Sequence, residues 1–185
     1  VTTGFRPAFV LLKKESAGAN WFLIDSTRDN FNTIQTSITI DNTQAESYAG
    51  TTAKIDFNDN GFQIKASNND VNANGVKYRY IAFAGGMDSI SDYNTTGDVD
   101  ARVKANPTYG QSIVSYTGNG GSNQTVGHGL SSTPEMVILK ARDDASTWYT
   151  GHVSLGTNEA LGLNESGAAF NVATGQSGGG IGARS

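Results

Sequence analysis

The order of apolar and polar residues along the chain predicts short strands and almost no helix. Alternation is clearest over 77–83, where it has the period of two of a half-buried strand, whereas 9–13 and 21–24 are short apolar runs that fit buried strands. A helical-looking stretch around 43–46 is too short to stand alone. The predicted strands are Phe9–Lys13, Trp21–Ile24, Thr36–Ile40, Ala53–Phe57, Phe62–Lys65, Lys77–Phe83, Ser112–Tyr116 and Met136–Lys140.

Asn-Gly pairs lie between several of these segments, at 60–61, 74–75 and 119–120. Asn-Gly suits the two positive-φ positions of a type I′ turn, so each pair predicts a hairpin. Short strands at regular spacing with such turns are typical of β-sandwiches and jelly rolls. We therefore expect an all-β protein of sandwich or jelly-roll units.

The chain repeats itself at an offset of 127 residues. The segment 7–21 resembles 134–148, and the apolar pattern between the identical positions is kept. Residues 38–42 weakly resemble 160–164. The identical pairs are Pro7 and Pro134, Val10 and Val137, Leu12 and Leu139, Lys13 and Lys140, and Trp21 and Trp148.

This repeat predicts tandem units, one nearly complete and one partial. Residues 1–84 form the first sandwich repeat without its front strand, 85–106 form a hinge, and 107–185 form a second, partial repeat. The glycine-rich segment at 175–182 is either linker-like or a strand of an obligate oligomer. Since a window from such a tandem array leaves sheet edges unpaired, we expect an oligomer or larger assembly in which neighbouring chains or missing residues cover them.

The same pattern predicts the buried core. We expect the two tryptophans to occupy equivalent environments in one repeated strand pair. The residues predicted to be mostly buried are Val10, Leu12, Trp21, Leu23, Ile81, Phe83, Val137 and Leu139.

The first unit resembles a repeat of tail and virion surface proteins of marine bacteriophages. The resemblance is carried by Gly-Phe-x-Pro-x-x-Val-x-x-Lys at 4–13, Asp-Ser-x-Arg at 25–28, Asn-Gly-Phe at 60–62 and Asn-x-x-Gly-x-x-Tyr-x-x-x-Ala within 72–82. It covers about 1–84, and a degraded version restarts near Ser112. The resemblance implies concanavalin-like sandwich units and a place on the virion surface, and it brings no catalytic residues.

Composition removes several classes of function. Thirteen Lys and Arg against 17 Asp and Glu give a net charge of −4, which disfavours nucleic-acid binding. The chain has no Cys, so thiolate metal sites and Cys nucleophiles are excluded. Because no apolar run approaches 18 residues, we expect no membrane insertion. We also expect no cofactor.

Two segments match the first half of a calcium-binding loop, Asp-x-Asn-x-Asn-Gly. Position 12 of such a loop needs a bidentate Glu, but Ser67 and Ile81 stand there. We therefore expect no metal, with hairpin turns as the main interpretation and calcium as the weaker alternative. The alternative ligands are Asp56, Asn58 and Asn60, or Asp70, Asn72 and Asn74.

An aromatic pair beside acidic and amide side chains raises the alternative of sugar binding. An aromatic face can stack on a pyranose, while carboxylates and amides bond its hydroxyls. The competing interpretation is that the two tryptophans are core residues and that the adjacent carboxylates form a solvated turn. The candidate sugar-binding residues are Tyr149, Trp148, Asp143, Asp144 and Asn123.

The sequence thus favours a non-enzymatic structural segment of a phage tail fibre or surface appendage, located on the virion. Its expected partners are copies of itself or other virion proteins. The alternative is a lectin-like module for host adhesion, with a host surface glycan as partner. Neither hypothesis involves nucleic acid.

Overall fold

Antiparallel strands make up the regular structure of this chain. The computed structural model describes residues 1–16, 18–48, 55–67, 69–85, 92–156 and 158–172, and these contain strands but no helix, so none of them forms a membrane-spanning helix. The all-β prediction is confirmed, although residues 53–54 and 175–182 lie outside the described ranges. The strands are β1 (Pro7–Lys14), β2 (Trp21–Asp25), β3 (Thr36–Thr39), β4 (Ser47–Tyr48), β5 (Ile55–Asn58), β6 (Gly61–Ile64), β7 (Tyr78–Ala84), β8 (Asp92–Asn94), β9 (Ala101–Asn106), β10 (Gln111–Tyr116), β11 (Met136–Leu139), β12 (Tyr149–His152), β13 (Glu159–Gly162) and β14 (Phe170–Asn171).

The largest sheet has five strands in the order β4-β3-β2-β1-β7. One face of it is covered by the β5–β6 hairpin, so this unit is a small sandwich. Side chains of neighbouring strands share a face when they pair directly, and Leu12 pairs with both Phe22 and Tyr80. The buried apolar cluster between sheet and hairpin consists of Val10, Leu12, Phe22, Ile24, Ile34, Ile55, Phe57, Phe62, Ala66 and Val71.

The opposite face of this sheet, called the outer face below, is also apolar. Because side chains alternate along a strand, the neighbours of the buried β1 residues point the other way. Strand register places Leu11 beside Leu23 and Ile81 on this face, and Phe9 beside Phe83. The continuous apolar run in β1 therefore supplies both faces of the sheet.

The core prediction is correct for Val10 and Leu12, which are 0% and 2% exposed. It is wrong for four other residues of the first unit, because the β1–β2 and β1–β7 registers put them on the outer face. Trp21 and Leu23 are half-buried, and Ile81 and Phe83 are 49% and 45% exposed.

The strand pairing of the first unit is reproduced in the second. Strands β11 and β12 pair in the register of β1 and β2, so that Leu12–Phe22 corresponds to Leu139–Tyr149 after a shift of 127 residues. The third and fourth strands follow at a shift of 123, which takes Ile38 to Leu161. The predicted equivalence of the two strand pairs is confirmed.

The second unit lacks the cover that buries the first. Val137 and Leu139 stand at the positions of Val10 and Leu12, yet they are half-buried, so their predicted burial is wrong. The apolar cluster of the described residues comes entirely from the first unit, where the β5–β6 hairpin closes it. Among described residues, no such hairpin packs on β11 and β12.

The range 85–106, which the sequence assigns to a hinge, contains two strands. Strands β8 and β9 pair with each other, and β9 pairs with β10 to form a three-stranded sheet. The side-chain amide of Gln111 ties this sheet to the carbonyl of Ala84 at the end of β7. The domain boundaries around this range stay a prediction.

The Asn-Gly pairs behave differently from the prediction. In the β5–β6 hairpin Asn58 pairs with Gly61, so the two turn residues are Asp59 and Asn60. Gly61 belongs to the strand, with φ of +150°, and a Cβ there would collide with the carbonyl oxygen of Val1. The pairs at 74–75 and 119–120 do not join two directly paired strands.

The side chain of Glu46 lies between two arginines and links the two units. Its Oε1 accepts from Nη1 of Arg28 at 3.2 Å, and its Oε2 accepts from Nε of Arg142. Its backbone N–H donates to the carbonyl of Arg142 at 2.7 Å. The side chains of Glu46 and Arg28 are 10% and 7% exposed, so this ion pair is nearly removed from water.

The Asp-Ser-x-Arg motif supports that link. Oδ1 of Asp25 accepts from the backbone N–H of Thr27 at 3.0 Å and of Arg28 at 2.9 Å, which fixes the turn after β2. Its Oδ2 accepts from Nε of Arg28, and Arg28 also donates to the carbonyl of Leu23. The motif thus holds the guanidinium that meets Glu46. The second unit keeps a turn here, in which Nδ1 of His152 accepts from the backbone N–H of Ser154 at 3.1 Å, but Leu155 stands in place of Arg28.

A tryptophan makes a second link between the units. Trp148 is 5% exposed, and its indole N–H donates to the carbonyl of Thr39 at 2.9 Å. The corresponding Trp21 is half-buried, and Nζ of Lys13 lies 5.7 Å from the centre of its ring. The predicted equivalence of the two tryptophan environments is therefore wrong, because Trp148 is buried against the first unit.

We predict that Leu12→Ala destabilises the protein by about 2–5 kcal/mol, because it opens a cavity in a closed core. Leu139→Ala, at the equivalent but half-buried position, should cost about 1–2 kcal/mol. Urea denaturation followed by tryptophan fluorescence measures both. Equal losses would contradict the difference in cover between the two units.

We predict that Glu46→Ala costs about 3–5 kcal/mol, because it leaves the buried Arg28 without one of its two carboxylate partners. The matched control is Glu15→Ala, which removes the carboxylate partner of Arg79 from an exposed pair. That change should cost less than about 1 kcal/mol. Similar losses in the two variants would show that removal of Glu46 does not leave an uncompensated buried charge at Arg28.

Candidate assembly surface

Strand β7 forms a free edge of the five-stranded sheet. It is seven residues long and pairs with β1 on one side, and no described strand pairs with its other side. Natural sheet edges are usually short, charged, bulged or covered, because an open row of backbone groups invites another chain. Along β7 the exposed side chains include Tyr80, Ile81 and Phe83, which are 42%, 49% and 45% exposed.

The outer face becomes steadily more exposed toward this edge. One row of directly paired residues crosses the sheet from Ile38 through Leu23 and Leu11 to Ile81. Ile38 is 3% exposed, the two leucines are half-buried, and Ile81 is 49% exposed. The apolar face is therefore covered on the β3 side and open at β7.

A charged row borders this apolar area. Lys13 pairs with Trp21 on one side and with Arg79 on the other, and Arg79 forms an exposed ion pair with Glu15. An apolar centre with a charged rim is the usual composition of a protein–protein interface. The surface formed by the outer face at β1 and the edge of β7 is called the β7 surface below.

The predicted sugar-binding residues do not converge on one surface. Trp148 is buried, so its ring has no open face for a sugar. Tyr149 is half-buried and packs edge-on against Phe170, with ring centres 5.8 Å apart. Asp143 and Asp144 are exposed, as is Asn123, whose φ is +56°; among the described contacts, none joins Asn123 to the other four residues.

The two calcium-like segments form ordinary strand and turn structure. Asp56 lies in β5 with an oxygen 3.5 Å from Nζ of Lys65, and the carbonyl of Asn60 accepts from the N–H of Thr3. The side-chain amide of Asn72 donates to the carbonyl of Ala66. Asn58 at the end of β5 is exposed, and of the two turn residues Asp70 is half-buried and Asn74 is exposed. The described residues contain no cluster of three acidic or His side chains placed to hold a metal.

A groove that sequence reasoning missed lies beside the three-stranded sheet. It encloses about 400 Å³ and is lined by residues of β8, β9 and the segment around 129. At its margin Tyr93 is 67% exposed, and its hydroxyl donates to Oδ2 of Asp100 at 3.0 Å. This hydrogen bond, together with the negative charge of Asp100, raises the pKa of Tyr93. The lining residues are Tyr93, Asn94, Thr95, Val103, Ala105, Pro107 and Gly129.

A carboxylate close in sequence to the groove residues joins two loops. Oδ2 of Asp98 accepts from the hydroxyl of Thr125 at 2.7 Å and from its backbone N–H at 3.0 Å. These hydrogen bonds to the charged form lower the pKa of Asp98. The backbone N–H groups of Asp98 and Val99 also donate to the carbonyl of Thr125, so the loop at 125 is held against the loop at 98 by backbone and side-chain bonds together.

The chain belongs to a protein family described as a domain of unknown function, DUF7483, whose model matches residues 1–86 and residues 88–179. The first matched range contains β1–β7 and the second contains β8–β14. No curated protein and no solved structure matches the chain.

Proposed function

We propose that this chain is a non-enzymatic structural segment of a bacteriophage virion, in a tail fibre or surface appendage, that assembles with copies of itself. The resemblance of residues 4–13 and 25–28 to virion surface repeats supports the location. The β7 surface supports the assembly, and it is the observation that carries the proposal.

The exposed edge of β7 supports assembly. A seven-residue edge with three large exposed apolar or aromatic side chains is a surface that a monomer normally avoids. In the Asp-Ser-x-Arg motif, which the resemblance includes, Asp25 holds the guanidinium of Arg28 that pairs with Glu46 in the buried link. Such a motif is what a structural repeat needs to dock its neighbouring unit.

Sedimentation velocity over a concentration series tests the proposal on the full chain. We expect a dimer or larger species that dissociates on dilution, because burial of the β7 surface removes apolar area from water. A folded monomer at every concentration would refute self-assembly. Light scattering on the same samples separates a defined oligomer from an aggregate.

A second proposal, sugar binding for host adhesion, is supported by the groove at Tyr93. Its exposed ring lies beside a carboxylate and beside the amide and hydroxyl groups of Asn94 and Thr95. An aromatic face with adjacent planar polar groups suits a pyranose. This groove fits that chemistry better than Trp148 and Tyr149 do, since neither of those rings is open.

A glycan array on the full chain would test this second proposal. Where a sugar binds, Tyr93→Ala should weaken binding about tenfold, the loss of roughly 1.4 kcal/mol of stacking. Tyr109→Ala is the matched control, because Tyr109 is 76% exposed but does not line the groove. Equal binding by the two variants, or no bound sugar, would refute the proposal.

A further inference from the structure

We infer that two copies of this chain pair antiparallel along β7, with Ile81 opposite its own counterpart on a two-fold axis. The two five-stranded sheets then form one continuous sheet. This pairing rests on the self-assembly proposed above and names the surface and the register. A two-fold arrangement follows from the use of one edge by both copies.

The direction of the backbone groups fixes which residues can bond to a second chain. The N–H of Glu15, just after β1, donates to the carbonyl of Lys77, so the backbone groups of Lys77 point toward β1. The direction of the backbone N–H and C=O groups alternates along a strand. Those of residues 79, 81 and 83 therefore also point toward β1, and those of residues 78, 80, 82 and 84 point to the free edge. The carbonyl of Ala84 accepts from the side chain of Gln111, which agrees with this assignment.

This alternation restricts the register. In an antiparallel pair each hydrogen-bonded pair must join two outward-pointing residues. With Ile81 on the axis, Tyr80 faces Ala82 of the second copy and Tyr78 faces Ala84, so both members of each bonded pair point outward. A shift by one residue would place outward residues opposite inward ones. The register around Ile81 places all seven residues of β7 opposite the second copy, with the central bonds between Tyr80 and Ala82, while the carbonyl of Ala84 at the end already accepts from Gln111.

The side chains complement each other in the same register. Each tyrosine meets an alanine, so a large side chain lies beside a small one. Arg79, the charged residue of β7, faces Phe83 of the second copy, which places a cation beside an aromatic ring and avoids like charges in direct opposition. On the outer face the two Ile81 side chains meet at the centre. The edge is therefore complementary to itself in shape and in charge.

Single cysteines test this pairing, since the chain has none of its own. In Ile81→Cys the two thiols lie at a non-hydrogen-bonded pair with Cα atoms about 4.5 Å apart, within reach of a disulfide. In the control Arg79→Cys, the two positions are four residues apart along the ladder, roughly 13 Å. Under mild oxidation Ile81→Cys should form a covalent dimer at least about tenfold faster than the control, because its thiols are held together.

A mixture of two variants tests the register independently. Arg79→Cys and Phe83→Cys should each stay uncrosslinked alone and should form a mixed disulfide when combined, because residues 79 and 83 lie opposite each other. Circular dichroism checks that every variant is folded. The mixture still tests the register if Ile81→Cys does not fold.

The outcomes separate the two proposals. Oligomers in sedimentation without selective crosslinking at 81 or between 79 and 83 would overturn pairing along β7 and leave self-assembly standing. Monomers in sedimentation with no selective crosslinking would overturn both. Equal crosslinking rates at 79 and 81 would indicate random collision and would also overturn the pairing.

Discussion

The structure of the first unit depends on one constraint, which is that its central strand is apolar on both faces. Strand β1 places Val10 and Leu12 on one face and Phe9 and Leu11 on the other. A sheet built around such a strand must be covered twice. The β5–β6 hairpin covers the first face over β1 and β2, whereas Tyr80 at the β7 edge of this face is 42% exposed. The second face is buried at Ile38 and open at β7, where Ile81 and Phe83 are exposed, so the apolar pattern of this one strand leaves an external surface.

The docking of the two units uses polar groups at the border of that second face. Glu46 receives guanidinium groups from Arg28 of the first unit and Arg142 of the second, and the indole of Trp148 donates to a backbone carbonyl. Buried charge is costly unless it is paired and hydrogen-bonded, so these contacts tolerate little displacement. They specify where the second unit sits more than they add stability. The bond from Gln111 reaches β7 only at Ala84, and Ile81 and Phe83 stay exposed.

The sequence predicts strand positions well and strand faces less well. Alternation and apolar runs are local properties, so the eight predicted strands agree with observed ones. The face on which a residue lies depends also on the register between strands, which the pairing of Leu12 with Phe22 decides and which no single strand reveals. Strand β9 could be predicted from the sequence, since Ala101, Val103 and Ala105 alternate with polar residues. No sequence pattern predicts the groove at Tyr93, because the groove forms between segments distant in sequence.

The two units share the same strand registers but differ in how their cores are packed. Strands β11–β14 repeat the registers of β1–β4, although the second unit lacks the hairpin that closes the first core. The register therefore does not require a closed core and must be set within the strands and their turns. The backbone bond from the N–H of Ile40 to the carbonyl of Trp21 recurs from Leu163 to Trp148. The backbone N–H of Trp21 donates to the side chain of Asp41, and that of Trp148 donates to the side chain of Asn164. These repeated local contacts align the strands in both units. The apolar faces of the two units can therefore differ in what covers them, and a hairpin covers one face of the first unit.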